Sequence, residues 1–446
     1  MRMVGALFLT LSAITPASSV FVIVPGVISQ AGTGAFYSLI IGALVGVAMA
    51  FVYAELASAF PLSGGEYALI GRALGPFSGF LIMGTNAFNT TIQVSALSVG
   101  AAPYLAPVMP NADPVLLGIA ITILATLMSI FDIRTNAWIT GVFLAIEVLA
   151  LIVLTQLGLG HASRPLSELF LHPVVLHDGV LANSSLASIA LGTSVAAFAY
   201  NGFGAAVYFA EEMHEAPTLI ARTIIWALGL TVLLEFVPVT AVLLGAPDLA
   251  QLLGSENPFT EFLRETGGRA VTIAIGLGVA ASIVNAVLAT ILMNARFFYS
   301  TGRDGVWPVQ VNDILTWIHR RFHSPWIATI LGGALSVLFC FLPLDVLLVL
   351  NGAGIIFMYV FLCAATISGR RSGRTDHAPY RMPWHPWPSL FALAALALVI
   401  VANWMDESVG RPSLIVTVAV MMGTGMYYFF VVRRRGVWVL KGPEDL

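Results

Sequence analysis

Residues 14–26 read Ile-Thr-Pro-Ala-Ser-Ser-Val-Phe-Val-Ile-Val-Pro-Gly, a polar interruption inside an otherwise apolar run. Proline removes a backbone donor and breaks the helical ladder, so the neighbouring N–H and C=O groups need other partners at membrane depth. Such groups are tolerated in a bilayer only where they are buried in protein or line a cavity, because each unsatisfied one costs several kcal/mol in hydrocarbon. The stretch is therefore a candidate binding site.

Everything around it is apolar. Of 446 residues, 58% are hydrophobic and 10% are charged, with a mean hydropathy of +0.91. Soluble domains carry roughly 25% charged residues, so the chain is expected to be an all-α polytopic membrane protein. The net charge of −3 does not suggest a nucleic-acid partner. Cys340 and Cys363 lie in apolar runs without metal-ligand spacing, and all eight histidines fall in predicted loops. Neither a metal site nor a cofactor is expected. Residues 1–13 have only Arg2 in front and run on past Thr15 without a small-residue cleavage site, so they are expected to be a retained first span.

Counting apolar stretches of about 20 residues as spans gives twelve. They fall at roughly 4–29, 36–60, 77–103, 114–131, 137–158, 187–210, 221–246, 270–297, 326–343, 346–368, 388–404 and 413–432. An even number places both termini on one side. With that side cytoplasmic, only Arg164, Arg264, Arg269 and Arg411 of the 20 lysines and arginines fall outside, the asymmetry of the positive-inside rule.

Span six carries a second interruption, Tyr200-Asn201-Gly202-Phe203-Gly204. It opens a second set of five spans as Ile14–Gly26 opens the first. Paired interruptions at corresponding positions point to an inverted-repeat transporter with its site at the midplane. The expected organisation is a first repeat over 1–158, a second over 187–368, and two additional helices over 388–434.

Four motifs carry a family resemblance over nearly the whole chain. They are Phe21-Val22-Ile23-Val24-Pro25-Gly26; Tyr53-Ala54-Glu55-Leu56-Ala57 followed by Phe60-Pro61-Leu62-Ser63-Gly64-Gly65-Glu66-Tyr67; Ala210-Glu211-Glu212 with Pro217; and Asn294-Ala295-Arg296 through Gly302-Arg303-Asp304-Gly305-Val306-Trp307-Pro308. In this order the chain resembles the bacterial amino acid permeases of the amino acid–polyamine–organocation superfamily. The resemblance implies a leucine-transporter-like fold with helices 1 and 6 broken, a site in the inner (cytoplasmic) membrane with both termini cytoplasmic, and an amino acid or amine as the small-molecule substrate. One departure stands out. Where the family commonly has Gly-Ser-Gly, this chain has Ala17-Ser18-Ser19, which narrows access to backbone N–H groups that glycine leaves open.

The resemblance implies a zwitterion held between the breaks, since half-helix N-termini suit a carboxylate and unwound carbonyls suit an ammonium. The carboxylate is assigned to the backbone around Ala17, Ser18 and Ser19, after the Thr15-Pro16 break. The ammonium is assigned to carbonyls near Ile14, Phe198 and Ala199, and Tyr200 and Phe203 are expected to cover the substrate side chain. In span three, Asn86, Thr90 and Gln93 share a helix face, which either lines an aqueous path or bonds across to another helix; Gln93 is taken as pocket-lining.

Glu55, Glu147 and Glu235 lie within or at the ends of spans. A carboxylate at a helix centre costs roughly 2.5–3.5 kcal/mol on insertion scales, so each is functional or kept neutral. Glu147 falls near the position where some relatives carry a lysine beside the first break. It is the expected proton-coupling group, with Ser282 and Asn285 beside it in an ion-site-like arrangement. Glu235 has no motif context, and a structural role suits it at least as well. Glu66 and Tyr67 are the expected gating residues, meeting Arg72 or Arg303. The leading reading is a secondary active transporter, proton-coupled; the alternative is an exchanger that needs no titrating group. No His–Asp, Cys–His or Ser–Lys arrangement within the spans suggests an enzyme.

Overall fold

The computed structural model describes the chain apart from residues 1, 106–108, 110, 132, 178, 436, 437, 439 and 442–446. It is a bundle of helices with one two-stranded antiparallel hairpin, Val174–His177 paired with Val180–Asn183. Among the described residues, eight segments are long and apolar enough to cross a membrane, and Pro114–Ser129 and Trp326–Phe339 are shorter apolar helices. The first of the eight, Met3–Ala59, runs through two of the expected spans. Pro76–Gly100 is absent from the eight because Asn86, Asn89, Thr90, Thr91, Gln93 and Ser95 dilute its hydropathy. The chain is a polytopic membrane protein.

The helices that position the site are α1 (Met3–Ile14), α2 (Val24–Ala31), α3 (Ala35–Ala59), α4 (Glu66–Leu74), α5 (Pro76–Gly100), α6 (Ile133–Gly160), α7 (Leu186–Ala199), α8 (Ala216–Gly245), α9 (Gly268–Arg303) and α10 (Leu344–Arg371). Around α1 pack α6, α8, α9 and the 3₁₀ segment Phe203–Glu212, so the first interruption lies at the centre of the bundle. Small residues bring these helices close, as is usual where lipid supplies no hydrophobic drive between them. A methyl group on Gly245 would lie 2.2 Å from the Gly158 carbonyl oxygen, and that contact holds α6 against α8.

The two interruptions are tighter than the sequence suggests. α1 closes with the Thr15 N–H on the Leu11 carbonyl at 2.8 Å, and Thr15 itself has φ +53° and ψ +73°. Pro16 then opens a single turn to Ser18, residues 19–23 form a π-helix, and regular helix resumes at Val24 with Pro25 in its first turn. Pro25 and Gly26 are thus helical, because proline is tolerated at a helix start. The second break is confined to Tyr200–Gly202, with Gly202 at φ +115°; Phe203 and Gly204 already belong to the 3₁₀ segment.

Glu55 is fully buried and takes two bonds from Arg370, each 2.7 Å, and a third from the Met382 N–H at 2.8 Å. It is a structural tie between α3 and the end of α10. Breaking a buried pair by removing one partner costs about 3–5 kcal/mol. Arg370→Ala is therefore expected to lower the melting temperature in detergent markedly, and Arg370→Lys to give an intermediate loss because the two-pronged contact needs guanidinium; an unchanged melting temperature in both would refute the assignment.

Candidate functional site

A β-branched residue in the left-handed region, as at Thr15, is an outlier that costs on the order of 1–3 kcal/mol and persists only where its surroundings hold it. Here the Thr15 hydroxyl lies 2.9 Å from the Ser18 hydroxyl and donates to Glu147 Oε1 at 3.2 Å. The same carboxylate oxygen accepts the Ala17 N–H at 2.7 Å. Glu147 is fully buried and its Oε2 has no hydrogen-bond partner. Ser282 closes the cluster, its hydroxyl 3.1 Å from that of Ser18. Asn285 sits one turn along α9, donates to the Thr140 carbonyl at 3.4 Å, and leaves its Oδ1 without a partner.

The arrangement alters the expected division of labour at the first break. The Ala17 N–H, assigned to a substrate carboxylate, is engaged by Glu147, and the Ser19 N–H donates to the Thr15 carbonyl at 3.0 Å. The Ser19 hydroxyl crosses to the second break and donates to the Ala199 carbonyl at 2.9 Å. One acceptor assigned to the ammonium therefore already carries a bond. Gly202 touches Ile14 so closely that an added methyl group would lie 3.0 Å from its Cγ1 and 3.1 Å from its Cα.

Between the breaks lies a cavity of about 80 Å³, large enough for water. Its polar wall is Thr15, Ser18, Ser19, Gln93, Asn201 and Asn351; its apolar wall includes Ile14, Val22, Ile23, Leu97, Phe198, Ile283, Leu344 and Leu348. Ile14, Thr15, Ser18, Ser19, Gln93, Phe198 and Ala199 are brought together here. Tyr200 and Phe203 are not. Both are buried, Tyr200 with its hydroxyl unpartnered and Phe203 edge-on to the Tyr53 ring at 5.6 Å between centroids. Tyr200 caps α7 and points away from the cavity face of that helix, the left-handed turn at Gly202 and the change to three residues per turn carry Phe203 away, and Phe198 is the aromatic residue on the cavity.

A second cavity, of about 50 Å³, adjoins the first and shares Ala13, Gln93 and Asn201 with it. It leads toward α4. Glu66 meets neither Arg72 nor Arg303: its Oε1 accepts the Tyr53 hydroxyl at 2.9 Å, and its Oε2 accepts the Asn86 amide at 2.9 Å and the Tyr208 hydroxyl at 2.5 Å. Tyr67 donates to Asp304 Oδ2 at 2.8 Å. Arg303 pairs with Glu211 at 2.7 Å, and Glu211 also accepts the Ser63 N–H at 2.9 Å. Burial pushes the Asp304 carboxyl up to about 6, opposed by the nearby Arg303 charge. Tyrosine and amide partners for Glu66 were not legible in the sequence, since they come from α3, α5 and the 3₁₀ segment.

Glu235 lies at the edge of the Glu147 cluster. It is fully buried on α8, neither oxygen has a hydrogen-bond partner, and the polar groups near it are Ser19, Tyr200 and Glu147. Its only sequence signal was a lone carboxylate in an apolar run.

A family model described as amino acid permease matches residues 2–427. The chain is 25% identical to the branched-chain amino acid permease BcaP of Bacillus subtilis, over 97% of this chain and 93% of that one. It is also 25% identical to BcaP of Lactococcus lactis, over 96% and 94%, and 24% identical to a "Probable GABA permease" of Pseudomonas aeruginosa, over 89% and 86%.

Because Gly202 packs against Ile14 between the breaks, Gly202→Ala is expected to lower substrate affinity by about five- to 150-fold, the range that ~1–3 kcal/mol of left-handed strain produces. A binding titration on purified protein checks this, and wild-type affinity in the variant would contradict the arrangement.

Proposed function

The chain belongs to the amino acid permease family of the amino acid–polyamine–organocation superfamily, and from that premise we propose that it is a secondary active transporter of amino acids or related amines, driven by protons and working by alternating access. The observation that carries the reading is Glu147, a fully buried carboxylate bonded to the Ala17 N–H at the strained first break. The proposed organisation is the five-plus-five inverted repeat followed by two helices, in the inner membrane with both termini cytoplasmic; the basic-residue asymmetry of the sequence supports that orientation.

The substrate carboxylate binds beside the Ser18 and Ser19 hydroxyls, and the ammonium binds the carbonyls of Ile14 and Phe198. A substrate carboxylate next to ionised Glu147 would place two like charges in a low-dielectric site, where the repulsion is large. Protonation of Glu147 removes that repulsion and weakens its hold on the Ala17 N–H, which then becomes available to the substrate. Proton and carboxylate therefore favour each other's binding, and the coupling is reciprocal. Ser282 and Asn285 complete the polar wall that Glu147 faces, and Gln93 orients the substrate from α5.

The wall of Val22, Ile23, Leu97, Leu344 and Leu348 suits an aliphatic side chain, in keeping with relatives named for branched-chain amino acids. Glu66 and Tyr67 act as the gate on the α4 side: opening it breaks the Glu66 contacts to Tyr53, Asn86 and Tyr208 and the Tyr67–Asp304 bond. The second reading, an exchanger without proton coupling, is favoured by one observation, the carboxylate's existing bonds to Ala17 and Thr15, which give Glu147 a purely structural use.

The experiment is uptake into proteoliposomes. Wild-type protein is expected to accumulate substrate under an imposed pH gradient in vesicles that start empty, whereas Glu147→Gln loses that accumulation by more than about tenfold and retains exchange of internal for external substrate. Undiminished gradient-driven uptake by Glu147→Gln would sink the proton role, and uptake only into preloaded vesicles by the wild type would establish the exchanger.

A further inference from the structure

The second cavity has an unbalanced lining. Its polar surface includes Tyr53, Glu66, Asn86, Asn89, Tyr208 and Tyr359 beside Thr90, Gln93 and Asn201, so Glu66 is its one charged group, and among the described residues no lysine, arginine or histidine lines it. Glu66 is 6% exposed and all three of its side-chain partners are neutral donors. Three donors converging on two oxygens is the pattern of a carboxylate acting only as acceptor. The Oδ1 atoms of Asn86 and Asn89 are buried without any hydrogen-bond partner, although the two side chains are only 1% and 3% exposed. Asn89 Oδ1 has its space because residue 354 is glycine; a methyl group there would lie 2.5 Å from it. Of the arginines at this end of the bundle, Arg303 is held by Glu211, Arg296 by Glu212 and Arg370 by Glu55, and Arg72 donates to the Leu440 carbonyl.

A buried carboxylate beside two orphaned acceptors is short of cationic N–H donors, and an ammonium group supplies three without any acceptor of its own. We propose that this cavity is a second substrate site, in which Glu66 is the counter-ion for the cargo's ammonium group between the central cavity and the α4 side. The shared residues Gln93 and Asn201 make the two cavities consecutive. The site also ties occupancy to the gate. Glu66 joins α4 to α3, α5 and the 3₁₀ segment through Tyr53, Asn86 and Tyr208, and an arriving ammonium competes with those donors for the same oxygens. Cargo in the second cavity thereby loosens the contacts that keep the α4 side shut. The inference rests on the transport reading only for the identity of the cargo; the cavity's preference for a primary ammonium stands on its lining.

The probe is propylamine, which carries an ammonium but no carboxylate, with leucine as the reference ligand for the central cavity. Calorimetric titration of purified full-length protein is expected to show propylamine binding that weakens at least tenfold in Glu66→Gln, while the tighter, central-cavity binding of leucine stays within about twofold. Asn89→Leu removes an orphaned acceptor without touching any partner of Glu66, and is expected to weaken propylamine in the same direction if Glu66→Gln does not fold. Equal propylamine affinity in wild type and variants, or no binding to wild type, overturns the proposal. If leucine fails to bind while propylamine binds in a Glu66-dependent way, the central-site reading falls and the second site stands.

Discussion

An N–H group that has lost its helical acceptor in the middle of a membrane must be met by another acceptor, and at Ala17 that acceptor is a carboxylate 130 residues away. The rest of the centre follows from this contact. Pro16 cannot donate, Thr15 turns left-handed to end α1, and the chain restarts with its first donors turned toward α6. Glu147 answers the break at the price of burying a charge-bearing group, a cost that membranes otherwise select against. A hydroxyl or a carbonyl would satisfy an N–H more cheaply, which is the physical ground of the proton role proposed for it.

The substitution of Ala17-Ser18-Ser19 for a glycine-rich turn takes on a definite physical meaning beside this contact. A side chain in place of hydrogen at Ser19 gives the break a second hydroxyl, and both hydroxyls are used: Ser18 meets Thr15 and Ser282, and Ser19 spans to Ala199. The two broken helices are thus linked directly rather than only through a ligand. A ligand that competes for the Ser19 hydroxyl changes the tie between the two halves, which is the kind of differential contact a conformational equilibrium responds to.

A second constraint operates at the α4 side, where the carboxylates differ in the partners they take. Glu211 and Glu212 take arginines, while Glu66 takes tyrosines and an amide. Neutral donors hold a carboxylate less firmly than a guanidinium does. The contact proposed to open is therefore built from the weaker kind, and contacts such as Glu55 with Arg370 from the stronger.

The membrane class, the two interruptions and the family were legible in the sequence, because hydropathy, proline and glycine act over a few residues and need no knowledge of packing. The position of Glu147 near the first break was expected too, but only through the family resemblance, which set it near a lysine that some relatives carry there. Tertiary structure alone decided which groups meet. The Ala17–Glu147 bond, the neutral partners of Glu66, and the orphaned oxygens of Glu235, Asn86 and Asn89 depend on how each helix is rotated about its axis, and that rotation is set by neighbours from distant parts of the chain. Tyr200 and Phe203 show the same limit locally. Tyr200 is one residue past Ala199 and so about 100° round the helix from it, and the left-handed Gly202 with the switch to three residues per turn carries Phe203 off the face that Phe198 and Ala199 present to the cavity.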